Sequence, residues 1–472
     1  MANPPASPLV LPLEDLPDPL PIPALPAAPP PRATVRPPGS KSLSNRALLL
    51  AALADGESSL GGALLDADDA QRMIESLRLL GSAVEPGSAG RVRVRGVRGR
   101  WRVPPAGVRL DLQNAGTATR FLAAAAALAD GPITIDGNER MRRRPIGELA
   151  AALPSLGMRV EHLGHDGYPP LRLTPLAPAP PHNVALEFST TKSSQFISAL
   201  LMLGPWLTGG ITIRLHGEVT SRPYIAMTLR LLDRLGAHVR ASEDLHVLRV
   251  GPPEVEPATL GLPAFEYEVE PDASGATYFW AAGAMIPGAD VGVAGLTAES
   301  LQGDACFPLL LERMGAVVER EESGVIRVRA PAVLRPIEAD LADMPDAAMT
   351  LAAACAFAPG RSILRGLRTL RVKETDRIAA LQNELGKIGV RVETDVEGDP
   401  DALSIAPPAG GVDCSPGCRR VEFETYDDHR MAMSMALIGL RRPNCFVRDP
   451  ACVRKTYPDF WRDLATLSYR PG

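Results

Sequence analysis

The 472-residue chain reads as an α/β protein of six repeated units shared between two lobes, and two series of motifs carry that reading. The first is a cadence that closes five amphipathic stretches: LGSAVE from Leu80, LGMRVE from Leu156, LGAHVR from Leu235, MGAVVE from Met314 and IGVRVE from Ile388. A glycine after an amphipathic run ends a helix in the left-handed conformation, and the Val three positions later opens a strand. The five glycines recur roughly every 74 to 79 residues, a period longer than any solenoid repeat. The second series lies half a period away, in Ala-rich apolar runs that each follow a polar cluster. They are SKSLSNRALLLAALADG, NAGTATRFLAAAAALADG, TTKSSQFISALLMLGPWLTGG, PDASGATYFWAAGAMIPG, MPDAAMTLAAACAFAPG and YDDHRMAMSMALIGL. Their apolar residues cover nearly every face, so each predicts a buried helix with its polar cluster in the preceding loop.

Taken from the N-terminus, residues 1–33 differ in kind. The first 31 hold twelve prolines and no Lys or Arg. Such a segment predicts an extended or disordered tail outside any core, whose removal leaves activity intact. Six repeats divide most simply into two lobes of three, with residues 40–269 in one and residues 34–39 plus 270–472 in the other. An apolar content of 45% over this length suffices for more than one core. No apolar run reaches membrane-span length, and the N-terminus lacks both a basic region and a continuous apolar stretch, which favours a soluble, cytoplasmic protein. A monomer is the expectation, because the repeats bury one another.

Six cysteines are too few for a disulfide framework. Cys414 and Cys418 form a lone CxxxC, with His429 nearby and no second pair at zinc-ligand spacing, so no metal and no cofactor is expected. The net charge of −5 argues against a general polyanion-binding surface. The helix-start loops are nevertheless locally cationic: Lys41 and Arg46, then Arg120, then Arg140 and Arg142 to Arg144 in ERMRRRPIG, then Lys192, then Arg371, Lys373 and Arg377 in RVKETDR, and finally Arg430 and Lys455. An acidic protein with a basic cleft suits a small, highly charged anion.

Each of these residues also has an ordinary structural explanation. Glu374 and Arg377 are spaced for a surface salt bridge beside a helix start, and Ser40, Ser42, Ser193 and Ser194 for helix caps. Recurrence of cation, hydroxyl and amide at equivalent places favours the ligand reading. The carboxylates Asp346, Glu374, Asp427 and Asp428 supply acid and base candidates, although spacing alone does not rank Asp346 above Asp272, which holds the same place in PDASGA.

The motifs GSKSLSNR, NAGTATR, ERMRRRPIG, SSQF, SRPYI, PDAAMT, RVKETDR, DDHRMAM and RKTYPDF stand in the order seen in the EPSP synthase (3-phosphoshikimate 1-carboxyvinyltransferase) family, and from about Arg36 to Leu464 the chain resembles it. The resemblance implies a two-lobed inside-out α/β barrel of six βαβαββ units. It implies transfer of the enolpyruvyl group of phosphoenolpyruvate to the 5-hydroxyl of shikimate 3-phosphate, without metal or cofactor, in the shikimate pathway to chorismate. By that resemblance Lys41, Ser42, Arg46, Ser193, Ser194, Gln195, Ser221, Tyr224, Asp346, Thr369 and Lys373 meet shikimate 3-phosphate. Lys41, Asn114, Gly116, Arg144, Gln195, Arg377, Arg430 and Lys455 meet phosphoenolpyruvate. Asp346 is implied as acceptor of the hydroxyl proton and Glu374 as proton donor, with Lys41 and Lys373 completing the catalytic set.

Three positions depart from the family's pattern: Thr369 stands where Asn or His is common, Phe121 follows Arg120 where many members have Pro, and Lys192 adds a cation. Two competitors are weaker. The sister transferase acting on UDP-N-acetylglucosamine has a Lys-Asn pair and a reactive loop Cys, whereas this chain has Lys41-Ser42 and no Cys before Cys306. A nucleic-acid-binding role is suggested by RVRVRGVRGRWR, which would put Arg91, Arg93 and Arg95 on one strand face near Trp101; the plainer reading is a solvated hairpin edge guarded by charge.

Overall fold

Each glycine of the repeated cadence turns the chain from helix to strand: Gly81, Gly157, Gly236, Gly315 and Gly389 have φ between +76° and +98° in the computed structural model. The structure describes residues 7–25, 30–177, 181–189, 193–219, 221–254, 260–297 and 299–468. Lys192, with its extra charge, and residues 1–6 and 26–29 of the Pro-rich segment lie outside these. The chain divides into two units, residues 39–270 and residues 1–38 with 271–472.

In chain order the structure begins with β1 (Leu20–Ile22), β2 (Arg32–Val35), α1 (Lys41–Leu53), β3 (Glu57–Gly61), α2 (Asp68–Leu79), β4 (Ala83–Pro86) and β5 (Val92–Arg95). The next repeat is complete: β6 (Val108–Asp111), α3 (Gly116–Ala125), β7 (Ile133–Asp136), α4 (Gly147–Ala152), β8 (Met158–His162) and β9 (Leu171–Pro175). Here β6 and β7 pair in parallel across α3, and β9 runs antiparallel between β7 and β8. The same βαβαββ order recurs in β10 (Val184–Phe188), α5 (Ser194–Leu201), β11 (Ile211–Leu215), α6 (Arg222–Arg234), β12 (His238–Ala241) and β13 (Val247–Gly251). The first repeat lacks a leading strand of its own until β14 (Glu266–Glu268) returns to pair in parallel with β3.

The other unit is built alike. It contains α7 (Ala273–Met285), β15 (Asp290–Ala294), α8 (Phe307–Arg313), β16 (Val317–Arg320) and β17 (Val325–Arg329), with β2 as the leading strand parallel to β15. It continues through β18 (Glu338–Asp340), α9 (Ala348–Cys355), β19 (Ser362–Arg365), α10 (Arg377–Gly386), β20 (Arg391–Glu393) and β21 (Leu403–Ala406). Last come β22 (Val421–Phe423), α11 (His429–Arg441), β23 (Cys445–Val447) and α12 (Phe460–Ala465).

In both units the Ala-rich helices are interior. Every residue of α3, α7 and α9 is buried, as are α1 from Leu43 onward and α11 through Leu440. Small side chains let such helices sit closely together inside the sheets, while α2, α6 and α10 keep an exposed polar face.

Two expectations require correction. The Pro-rich segment is not wholly a tail: β1 pairs antiparallel with β23 in the register Leu20↔Val447 to Ile22↔Cys445, Leu9 and Leu20 are fully buried, and Leu25 N donates to Leu440 O at 2.8 Å. In the sixth sheet, ordered β1-β23-β22, β1 occupies the place that β9 and β13 hold in theirs. Proline opposes helices and central strands but is tolerated on an edge strand, where its missing N–H faces away from the ladder. The first unit is also one residue longer at each end than 40–269. Gly39 sits so close to Gly62 that a Cβ would lie 1.8 Å from its carbonyl oxygen, and Ser40 N donates to Glu270 O at 2.8 Å, tying both chain crossings into that unit.

Candidate functional site

In residues 39–270 the candidate side chains gather at the starts of α1, α3, α5 and α6. Ser40 caps α1, its Oγ accepting from Leu43 N at 3.5 Å, so Lys41 and Ser42 fall in the first turn. Lys41 Nζ lies 3.4 Å from Asp69 Oδ2, a buried carboxylate at the start of α2. One turn on, Arg46 is 2% exposed and is caged by neutral groups. Its Nε donates to Thr228 Oγ1 at 2.8 Å, Nη1 to Ser42 O at 2.8 Å, and Nη2 to Ser198 Oγ at 3.2 Å and Tyr224 O at 3.3 Å, while the Phe121 ring centroid lies 5.1 Å away. Burial pulls the guanidinium pKa down to about 10.

The second anchor in this unit is the α3 start. Arg144 Nη1 donates to Asn114 O at 3.3 Å and Asn114 Oδ1 at 3.1 Å. A Cβ on Gly116 would sit 2.6 Å from Arg144 Nη2, so only glycine lets this arginine lie across the helix start. The rest of the arginine run turns elsewhere: Arg142 pairs with Asp136 and Arg143 with Glu139. Gln195 Nε2 donates to Thr117 Oγ1 at 3.3 Å, linking the starts of α5 and α3, and Ser193 caps α5 by accepting from Gln195 N. Ser194 is buried in the first turn of α5. Ser221, the N-cap of α6, has φ +51° and ψ +52°, a conformation costly for a non-glycine residue and frequent at binding sites. Tyr224 lies in the first turn of α6 and joins the Arg46 cage through its carbonyl.

In the other unit the candidates form one ionic cluster around Arg377, the first residue of α10 and 1% exposed. Arg377 Nε donates to Asp428 Oδ2 at 2.8 Å, Nη2 to Glu374 Oε2 at 2.9 Å and Asp428 Oδ1 at 3.2 Å, and Nη1 to Asp346 Oδ1 at 3.0 Å. Asp346 also meets Lys373 Nζ at 3.4 Å and Arg430 Nη2 at 3.0 Å, and Glu374 Oε1 meets Lys455 Nζ at 3.1 Å. Burial lowers the Arg377 pKa, but Asp428, Glu374 and Asp346 together outweigh it and the net shift is upward. For Lys373 burial prevails over Asp346 and the pKa falls. The Glu374–Arg377 pair is thus a salt bridge, as its spacing allowed, but it joins the loop before α10 to the first residue of that helix and is buried rather than on the surface, shared with two further carboxylates. Asp346 is where three of the unit's cations converge. Thr369, in the short 3-10 helix before Lys373, has its Oγ1 buried without a hydrogen-bond partner among the described residues.

Several participants were not apparent in the sequence. Asp69 holds Lys41 from a different helix, and Ser198 and Thr228 cage Arg46 from 152 and 182 residues away. Asp304 is buried, accepts a hydrogen bond from Ser274 Oγ and faces Asp346, Asp272 and Arg430; burial first, then Asp346, pushes its pKa up to about 7. No local pattern marks these residues, since each matters through a partner distant in sequence. Among the described residues no group of three or more His, Cys, Asp or Glu is arranged to hold a metal ion.

The basic stripe on β5 is not a hairpin edge, because β5 lies between β3 and β4. Arg91 pairs with Glu268, Arg93 with Glu57 and Glu85, and Arg95 with Glu57, so its charge is cancelled across strands. Trp101 is fully buried, its Nε1 donating to Ala125 O, and offers no face for a base.

The EPSP synthase (3-phosphoshikimate 1-carboxyvinyltransferase) family model matches residues 28–464 of the chain. A 3-phosphoshikimate 1-carboxyvinyltransferase of Laribacter hongkongensis is 44% identical over 440 residues, covering 92% of this chain and 97% of the relative. One from Nitrosomonas europaea is 42% identical over 442 residues, covering 93% and 97%. A solved EPSP synthase from Acinetobacter baumannii superposes with a TM-score of 0.73 at 25% identity, covering 93% of this chain and 96% of that one. An enolpyruvyl transferase from Streptomyces tendae shares the fold, with a TM-score of 0.69 at 19% identity over 94% and 96% of the two chains.

Proposed function

Because the chain belongs to the EPSP synthase (3-phosphoshikimate 1-carboxyvinyltransferase) family, we propose that it transfers the enolpyruvyl group of phosphoenolpyruvate to the 5-hydroxyl of shikimate 3-phosphate and releases phosphate. In the addition step the hydroxyl oxygen bonds to C2 of phosphoenolpyruvate, the hydroxyl proton goes to a base, and C3 receives a proton. In the elimination step C3 returns a proton and the C2–phosphate bond breaks.

The observation that carries the reading is the Arg377 cluster, in which two carboxylates, Asp346 and Glu374, are held on different nitrogens of one guanidinium. Chemistry that both removes and delivers a proton needs two such groups in defined places. Asp346 is assigned the hydroxyl proton and Glu374 the proton exchanged at C3. Arg377, Arg430 and Lys455 are assigned to the anionic groups of phosphoenolpyruvate, where a planar guanidinium grips carboxylate or phosphate through paired bonds. Asn114, Gly116, Arg144 and Gln195 are assigned to the same substrate, and Lys41 to both.

Ser42, Arg46, Ser193, Ser194, Gln195, Ser221, Tyr224, Asp346, Thr369 and Lys373 are assigned to shikimate 3-phosphate. An arriving anion competes with Asp346 for Arg430 and with Glu374 for Lys455, so binding loosens the very carboxylates that must move protons. No helix among the described residues is long and apolar enough to cross a membrane. The working form is taken to be a cytoplasmic monomer needing neither metal nor cofactor.

Phosphate release from phosphoenolpyruvate tests the reading. Release that requires shikimate 3-phosphate and is indifferent to a chelator is the expected result. Release with UDP-N-acetylglucosamine instead, or with neither acceptor, overturns it.

A further inference from the structure

The buried helices α7, α9 and α11 run in one direction. Near their starts Arg430 bonds Asp346, midway Thr277 Oγ1 lies 3.1 Å from Thr350 Oγ1, and at their ends Arg441 Nη1 donates to Met285 O at 2.6 Å. The far ends of these helices, opposite the Arg377 cluster, open on a pocket of about 830 Å³, a volume typical of small-ligand sites.

Its walls are mostly carbon, including Ile286, Phe357, Pro408, Val412 and Leu440, and none of the described residues that line it is an Asp or Glu. Among the described residues, Arg361 and Arg441 are its only charged lining residues. Arg361 Nε donates to Ser404 Oγ at 2.7 Å, and the Arg441 guanidinium lies 4.6 Å over the Phe357 ring. Neither arginine pairs with a carboxylate among the described residues, and burial depresses the Arg441 pKa. Capping the α7 carbonyl and a hydrogen bond with the Cys414 side chain account for part of the five N–H donors of Arg441 and for nothing about Arg361.

We propose that this pocket is a binding site for a small organic monocarboxylate with an apolar body, the carboxylate held between Arg361 and Arg441. Apolar walls favour such a body over inorganic phosphate, and the carbonyl-bearing ends of three helices oppose a dianion more than a monoanion. The proposal is independent of the transferase reading.

Benzoate and hexanoate serve as probes on the full chain, with inorganic phosphate as control, read by calorimetry and by the rate at which iodoacetamide alkylates Cys414. Cys414 lines the pocket and is exposed, and Cys306, also exposed, does not line it and reports any general effect. The expected result is saturable binding of one or both carboxylates, slowed alkylation of Cys414 but not Cys306, and binding weakened by about tenfold or more in Arg361→Gln. Protection by benzoate alone assigns the site to flat bodies, and by hexanoate alone to flexible ones. Absence of saturation, equal protection by phosphate, or unchanged affinity in a folded Arg361→Gln overturns the proposal; should that variant unfold, Cys414 protection in the unaltered chain decides.

Discussion

Arg46 and Arg377 are both almost completely buried arginines, one in each unit, and they are stabilised in opposite ways. Arg46 is held by hydroxyls and carbonyls, and burial drags its pKa down to about 10. Arg377 is held by three carboxylates that more than offset burial. The first arrangement leaves a positive field available to an anion. The second cancels charge locally and stores its cations against carboxylates, so that an anion must compete for them. A buried cation is therefore either a standing site for a ligand or a clamp on neighbouring acids, and the nature of its partners distinguishes the two.

The largest test of that contrast removes an acid from the clamp. Glu374→Gln should reduce turnover by about 10²–10⁴ with little change in KM, measured by steady-state phosphate release, because the amide keeps the shape and cannot carry out the proton transfer proposed for Glu374. Arg377→Met should cost about 3–5 kcal/mol of stability in urea unfolding, since three carboxylates lose a shared partner; a loss below 1 kcal/mol would mean the clamp is not the keystone of its cluster.

Leu20→Ala should cost about 2–5 kcal/mol, as expected for a fully buried side chain. An unchanged midpoint would return residues 1–33 to the status of a tail. Arg46→Met should cost only about 1–3 kcal/mol, because it strands neutral acceptors and no charge. Equal losses for Arg46→Met and Arg377→Met would erase the distinction between the units.

A pH-dependent effect concerns Asp304, whose folded pKa of about 7 exceeds its ordinary 3.8. The folded state holds this proton more tightly than the unfolded chain. Its contribution is therefore complete below the ordinary carboxylate pKa and is lost as pH rises through about 7, with a slope of up to about 1.4 kcal/mol per pH unit. Asp304→Asn should remove that decline; parallel stability curves for the two proteins between pH 4 and 7 would show that Asp304 is ionised throughout.

The helix-start residues could be read from sequence because each sits in a strong local pattern: Ser40 before an apolar run, Gly116 opening another, Asp346 after Pro345. The stripe Arg91, Arg93 and Arg95 was read correctly as one strand face and incorrectly as an edge, since alternation reports the face of a strand and not which strands flank it. The Pro-rich segment was misread for a related reason. Its composition excludes helix, but the ladder it joins is offered by residues more than 400 positions away.

What one linear chain determined unaided is the periodic part: six buried helices, the glycine cadence, and the motifs that place the protein in its family. These depend on interactions within a few residues, where φ preference, capping and hydrophobic period act directly. Pairing across the chain was settled by the folded structure. It put β1 beside β23, Asp69 beside Lys41, Thr228 beside Arg46 and Arg377 among Asp346, Glu374 and Asp428. Such partners are selected by packing and by the need to satisfy buried charge, and neither requirement leaves a mark on neighbouring residues in the sequence.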